Sequence, residues 1–317
     1  MRPALSVIAF TTLSGAGYGL LAWLAVAALA GSLPARPLLH GLLLALVLVT
    51  VGLLSSLAHL GQPRRAWRAY SQWRTSWLSR EGVLATLTYA PALALGALLL
   101  PGMLRPGGMP SLRILSAAGM LVCIALIACA VATVACTAMI YASLPPIPAW
   151  RHRLVLPTYL LLAAWTGGLL LAALLGLAGA DVDVRWLWLA VVVAAVLGSM
   201  KWRYWRDIDR AGLPVRRGDA VGLPDREVTV FERPHTEASY ITREMVFVMA
   251  RRHARGLRLL AVVLVAVVPI VGALLAVSIS APPALLSGIA AVSALAGAFV
   301  ERWLFFAQAR HIVSLYY

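Results

Sequence analysis

From residue 259 to residue 300 the chain runs 42 positions without an Asp, Glu, Lys or Arg. A hydrocarbon core about 30 Å thick is crossed by roughly 20 apolar residues of helix, so this run holds two crossings rather than one. Ser278-Ile279-Ser280-Ala281-Pro282-Pro283 supplies the turn between them, because proline cannot continue a helix. Residues 4–30, 37–58, 82–104, 114–142 and 154–180 are also free of charge. The stretch between Arg185 and Lys201 reaches the needed length if both ends snorkel toward water. These runs predict an all-α integral membrane protein with eight transmembrane helices and both termini on the same side.

Composition agrees and narrows the classes. A chain of 317 residues that is 62% hydrophobic and 12% charged cannot hide its apolar surface in one water-soluble core. That excludes a soluble enzyme and a disordered regulator, and three cysteines are too few for a disulfide-stapled secreted domain. The first run is expected to remain as a span: its 27 uncharged residues exceed the roughly 7–15 of a signal-peptide core. The net charge of +15 does not call for nucleic acid. In an eight-span layout, 23 of the 27 Lys and Arg fall on the side of the termini and the second, fourth and sixth loops. Positive charge is retained in the cytoplasm, so both termini are predicted there, in a bacterial inner membrane.

Two loops are more than connections. Residues 61–80 set Trp67, Tyr70, Trp73 and Trp77 among five arginines. Such a segment suits the headgroup level as a lipid anchor, since Trp and Tyr prefer that depth and Arg reaches phosphate. It equally suits docking of an extrinsic subunit through Arg64, Trp67, Arg68, Trp73 and Arg74, because Trp and Arg are the usual anchors of protein interfaces. Residues 201–256 form the one sizeable polar region, read as a loop with two Gly/Pro-rich turns at 212–224 and a short strand-like run at 227–231. A helix capped by Ser239 or Thr242 is expected to run through Arg255. About 55 residues suit an interaction platform better than a catalytic domain.

Charge inside a span is costly, so each such residue is a functional candidate. His59 closes the second span, Glu81 opens the third, and Glu301-Arg302 lies near the end of the eighth. Structural readings exist for each: a helix-end histidine, a carboxylate at a helix N-terminus capped by Ser79, and a local pairing of Glu301 with an arginine. Together, a neutral imidazole and a carboxyl group in an interfacial pocket can hydrogen-bond quinone oxygens and relay protons. Haem is not expected, because His40 and His59 are 19 residues apart, about 28 Å along a helix. Cys123, Cys129 and Cys136 fall within one span and read as packing residues rather than metal ligands. Gly15-Ala16-Gly17-Tyr18-Gly19 imitates a nucleotide-binding fingerprint, but inside an apolar helix it reads as close helix packing.

Several blocks resemble a known family. They are PALSVIAFTTLSGAGYGLL at 3–21, HLGQPRRAW at 59–67 continuing to QWRTSWLSRE at 72–81, ERWLFF at 301–306 and HIVSLYY at 311–317. The chain resembles the dimethyl sulfoxide reductase membrane-anchor (DmsC-type) family over nearly its whole length. Within it, the chain is most similar to the branch that anchors cytoplasmic sulfite-oxidising molybdoenzymes (SoeC-type). The resemblance implies an anchor without a redox metal of its own, holding an iron–sulfur subunit and a molybdopterin catalytic subunit at the membrane and exchanging electrons with quinone. The family's quinone region carries over to His59, Gly61, Arg65 and Glu81. A sulfoxide reductase anchor, which oxidises quinol, and a self-sufficient transporter are the alternatives. A transporter predicts charged or unwound helix centres and repeat symmetry, and neither is evident.

Overall fold

A computed structural model describes residues 3–31, 33–103, 112–179, 184–232, 253–278 and 283–315. Eight long helices carry the fold: α1 (Leu5–Ala30), α2 (Ala35–Leu57), α3 (Trp77–Met103), α4 (Ala117–Ala142), α5 (Val155–Leu177), α6 (Val184–Arg210), α7 (254–278) and α8 (Pro283–Ala307). No strand occurs among the described residues. Among the described residues, α1 to α5, α7 and α8 are long and apolar enough to cross a membrane. The second half of α6 is the polar one, with Lys201, Arg203, Arg206, Asp207, Asp209 and Arg210 in its last turns.

α1 is the centre of the bundle and packs against α2, α4, α5 and α8. Its glycines make this possible. A Cβ on Gly19 would run into the Ala163 carbonyl oxygen, and one on Gly167 would run into the Gly19 carbonyl carbon. The backbones of α1 and α5 therefore touch where both lack side chains, as small residues allow between membrane helices. Gly17 meets α2 at Val49 and Ala45 in the same way, so the helix-packing reading holds for Gly17 and Gly19. Gly15 faces open space instead.

α7 contains a π-helical stretch at Val263–Val267, just before Pro269. Proline lacks the N–H that would reach the Val265 carbonyl in α-helical register. The Trp165 indole of α5 donates to that carbonyl at 2.8 Å, and Ser293 of α8 donates to the Leu264 carbonyl at 2.9 Å. The irregular turn is thereby satisfied by its neighbours, as backbone at membrane depth must be.

Three sequence expectations change. The polar region does not begin at Lys201, because α6 continues to Arg210 and carries those charges on a helix. Residues 227–231 are not a strand but irregular chain. Lys201 does not snorkel to the surface: it is buried at 6% exposure. The turn at 278–283 and the helix expected from Ser239 or Thr242 lie largely outside the described residues; from Ala254 onward the chain is helical.

Candidate functional site

The segment after α2 stays on the outside of the bundle. Pro63–Gln72 coils as a 3-10 helix with no buried residue. Tyr70 and Thr86 share a hydrogen bond of 2.8 Å, and Arg80 donates from Nε to the Trp73 carbonyl at 3.0 Å, so the segment is tied back onto α3. Trp67 and Trp73 are 66% and 53% exposed, each with an arginine, Arg68 or Arg74, near its ring. Arg64, Arg65, Arg68 and Arg74 are all exposed. Indoles left in the open among cations are available to lipid headgroups or to another protein.

Glu81 lies one turn into α3 and is buried, 5% exposed. Its carboxylate accepts a hydrogen bond from the Thr137 hydroxyl of α4. Ser76, not Ser79, serves the helix start, since Ser76 Oγ accepts the Ser79 N–H at 3.4 Å. The Glu81 carboxylate is therefore committed to the bundle interior rather than to its own helix end.

His59, Gly61 and Arg65 are exposed in the loop above, and no hydrogen bond or ion pair joins them to Glu81. The structure thus brings the four residues to one end of the bundle without a direct contact among them. Desolvation pushes the His59 imidazole below its ordinary pKa, which favours the neutral form that can both donate and accept.

Sequence reasoning singled out Glu301 and Arg302 but missed Lys201, the third member of a buried polar group deeper at the same end. Lys201 of α6 donates to Glu301 Oε1 of α8, and Arg302 Nη1 lies 3.5 Å from Glu301 Oε2. The Arg302 guanidinium sits 3.4 Å over the Tyr159 ring, and Lys201 Nζ 4.2 Å over the Tyr204 ring. The sequence expectation for Glu301 is an arginine; its hydrogen-bonded partner is a lysine from another helix, with Arg302 second. Two charges inside apolar runs must find each other, and that rule is the signal that could have singled out Lys201. The ERWLFF block supplies the surrounding shell: Phe305 and Phe306 pack with Tyr141 and Trp150, and Trp150 donates to the Phe305 carbonyl at 3.1 Å. Cys123 and Cys136 are buried in α4, and Cys123 belongs to the main apolar core.

Below the loops, an open cleft of about 320 Å³ is lined by His152, Asp207, Asp209, Arg258 and Gln308 among others. Arg258 grips Asp209 through both Nη atoms, at 2.5 and 2.8 Å, and reaches Gln308 at 3.1 Å. His152 meets Asp207 at 3.3 Å. This face ties the chain before α5 to α6, α7 and the end of α8 by charge.

Comparison with known proteins matches residues 1–308 to the model of a family described as DMSO reductase anchor subunit (DmsC). The chain is also 36% identical over 329 aligned positions to a sulfite dehydrogenase subunit of Allochromatium vinosum, covering 100% of this chain and 99% of that one. With seven membrane-length helices and a family match from end to end, this multi-pass membrane protein belongs to the DMSO reductase anchor subunit (DmsC) family.

Proposed function

We propose that the chain is the membrane-anchor, quinone-interacting subunit of a molybdopterin oxidoreductase complex, of the cytoplasmic sulfite dehydrogenase kind. Full-length similarity to a subunit of a sulfite dehydrogenase supports the substrate. The observation that carries the quinone role is Glu81: a carboxylate buried in a helix bundle, one turn beneath an exposed loop bearing the His59 imidazole. A quinone headgroup needs hydrogen-bond partners at its oxygens and a proton donor or acceptor beside them, inside an apolar wall. Glu81 and His59 offer those groups, and Arg65 can polarise a quinone oxygen or hold a carboxylate.

In this reading all eight helices cross the membrane, with both termini and the arginine-rich loops in the cytoplasm of a bacterial inner membrane. An iron–sulfur subunit docks on Arg64, Trp67, Arg68, Trp73 and Arg74 and delivers electrons taken from sulfite by a molybdopterin catalytic subunit. Haem, iron–sulfur and molybdenum chemistry stay off this chain; His40, in α2, and His59, past its end, stand too far apart along the helix for bis-histidine ligation. The family match supports a second reading, a sulfoxide reductase anchor that oxidises quinol through the same residues.

The test is to purify the chain with its co-purifying subunits, measure molybdenum and iron, and assay sulfite-dependent reduction of a quinone analogue. Molybdenum, iron and turnover that is lost in Glu81→Gln with assembly intact are expected. Metals without sulfite activity shift the assignment to the sulfoxide branch. A metal-free lone subunit, or full turnover in Glu81→Gln, overturns the proposal.

A further inference from the structure

Glu81 has a neighbour whose chemistry suits two protonation states. Thr137 Oγ1 carries one hydrogen but has two acceptors in reach, the Glu81 carboxylate and the Thr133 carbonyl at 3.0 Å. A hydroxyl donates once and accepts up to twice. When Glu81 is ionised, Thr137 donates to it. When Glu81 is protonated, its O–H donates to Thr137, whose hydrogen turns to the Thr133 carbonyl. Both states are hydrogen-bonded without moving a heavy atom, which is what a group that repeatedly gains and loses a proton in a buried site requires.

Behind Thr137 lies a small chamber between α1, α4, α5 and α8, large enough for one water. Thr12, Ser14, Thr137, Tyr159, Thr166 and Arg302 line it. Three of its polar atoms, Thr12 Oγ1, Tyr159 Oη and Arg302 Nε, are buried without a hydrogen bond, in residues only 6%, 3% and 3% exposed. Unsatisfied polar atoms at that depth are costly, and a water accepting from Arg302 and bonded to Thr12 removes the cost. Such a water shares the chamber with Thr137.

We propose that the chamber holds this water and that Thr137 relays protons between it and Glu81. The inference rests on the reading of Glu81 as the proton donor to quinone. Reduction of one quinone takes two electrons from the iron–sulfur partner and two protons. For each proton, Glu81 gives its hydrogen to a quinone oxygen, Thr137 passes its own hydrogen to the Glu81 carboxylate, and the chamber water gives one to Thr137. The water is reprotonated from the aqueous side, and rotation of the Thr137 hydroxyl resets the relay. Quinol oxidation runs the same steps backward.

Tyr18 of α1, Cys136 and Tyr141 of α4 and Tyr159 of α5 are ionisable side chains within electrostatic reach of Glu81. None of them hydrogen-bonds it, which leaves Thr137 as its hydrogen-bonding partner among the described residues.

The experiment compares Thr137→Val, Thr137→Ser and Glu81→Gln in the purified complex, by quinone-analogue turnover across pH and by infrared titration of the carboxyl band that Glu81→Gln removes. Thr137→Val is expected to slow turnover by roughly tenfold or more, to displace the pH profile and to shift the band, with Thr137→Ser restoring all three. Wild-type behaviour of Thr137→Val while Glu81→Gln is inactive overturns the relay and leaves the quinone role standing. Full activity of Glu81→Gln overturns the quinone role itself. If Thr137→Val does not assemble, Thr12→Val decides: a reduced rate with a larger solvent deuterium isotope effect supports the chamber water, and no change in either overturns it.

Discussion

The Lys201 and Glu301 side chains show how a membrane bundle treats charge one residue at a time. They are 8% and 4% exposed, so each depends on the other for what water would have supplied. Removing one partner strands the remaining charge, at a cost of about 3–5 kcal/mol, whereas replacing both by apolar groups is often neutral. Lys201→Met is therefore expected to lower the melting temperature of the purified protein sharply, and Lys201→Met with Glu301→Leu and Arg302→Met to recover most of the loss, since Arg302 is the other buried partner of Glu301. Equal melting of the single variant and wild type would show that Arg302 alone satisfies Glu301. His59 gives a prediction in pH. Its folded pKa lies below the unfolded value of about 6.5, so the unfolded chain binds the extra proton. Stability is then full above that value and declines as pH falls through it, levelling once the folded imidazole also protonates. Denaturation scans of wild type and His59→Gln should diverge only on that acid side.

At the scale of helices, the α1–α5 crossing depends on absent side chains. Gly167→Ala forces its new methyl into the α1 backbone at Gly19, and neither helix can turn aside within a packed bundle. A loss at the upper end of the roughly 1–3 kcal/mol typical of overpacking is expected. Gly15→Ala on the same α1 meets nothing within 4 Å and serves as the control, with melting unchanged. Comparable thermal stability of the two variants would contradict the close crossing. The existence of the helices was legible from charge-free runs because a bilayer leaves backbone no other way to bond itself. Their ends were less legible. α6 runs past Lys201 because residues 202–210 hold no Gly or Pro and carry paired charges, Arg203 with Asp207 one turn on and Asp209 with Arg258 of α7, so polarity there did not mean a loop.

For the whole molecule, the unequal distribution of Lys and Arg predicts a side. Single cysteines placed at exposed Trp67 or Trp73, in a variant lacking the native cysteines, should react with a membrane-impermeant thiol reagent from the cytoplasmic face of inverted vesicles. They should be shielded when the partner subunits are bound. Labelling from the outer face of intact cells would reverse the orientation and move the assignment toward the sulfoxide branch.

Periodicity, charge and short blocks of sequence determined that this chain is a helical membrane bundle, which loop bears the exposed Trp and Arg residues, and that Glu81 and Glu301 are unusual. Those properties are local: they follow from where charge is absent and where it is tolerated along one helix. Which charges meet was decided only in three dimensions. Lys201 and Glu301 are 100 residues apart, and Thr137 reaches Glu81 across 56. A threonine in an apolar helix looks like any other until packing turns its hydroxyl toward a buried carboxylate. In a bundle, the rotation of each helix about its axis selects the partners, and that rotation is set by side-chain packing between helices rather than by any one segment.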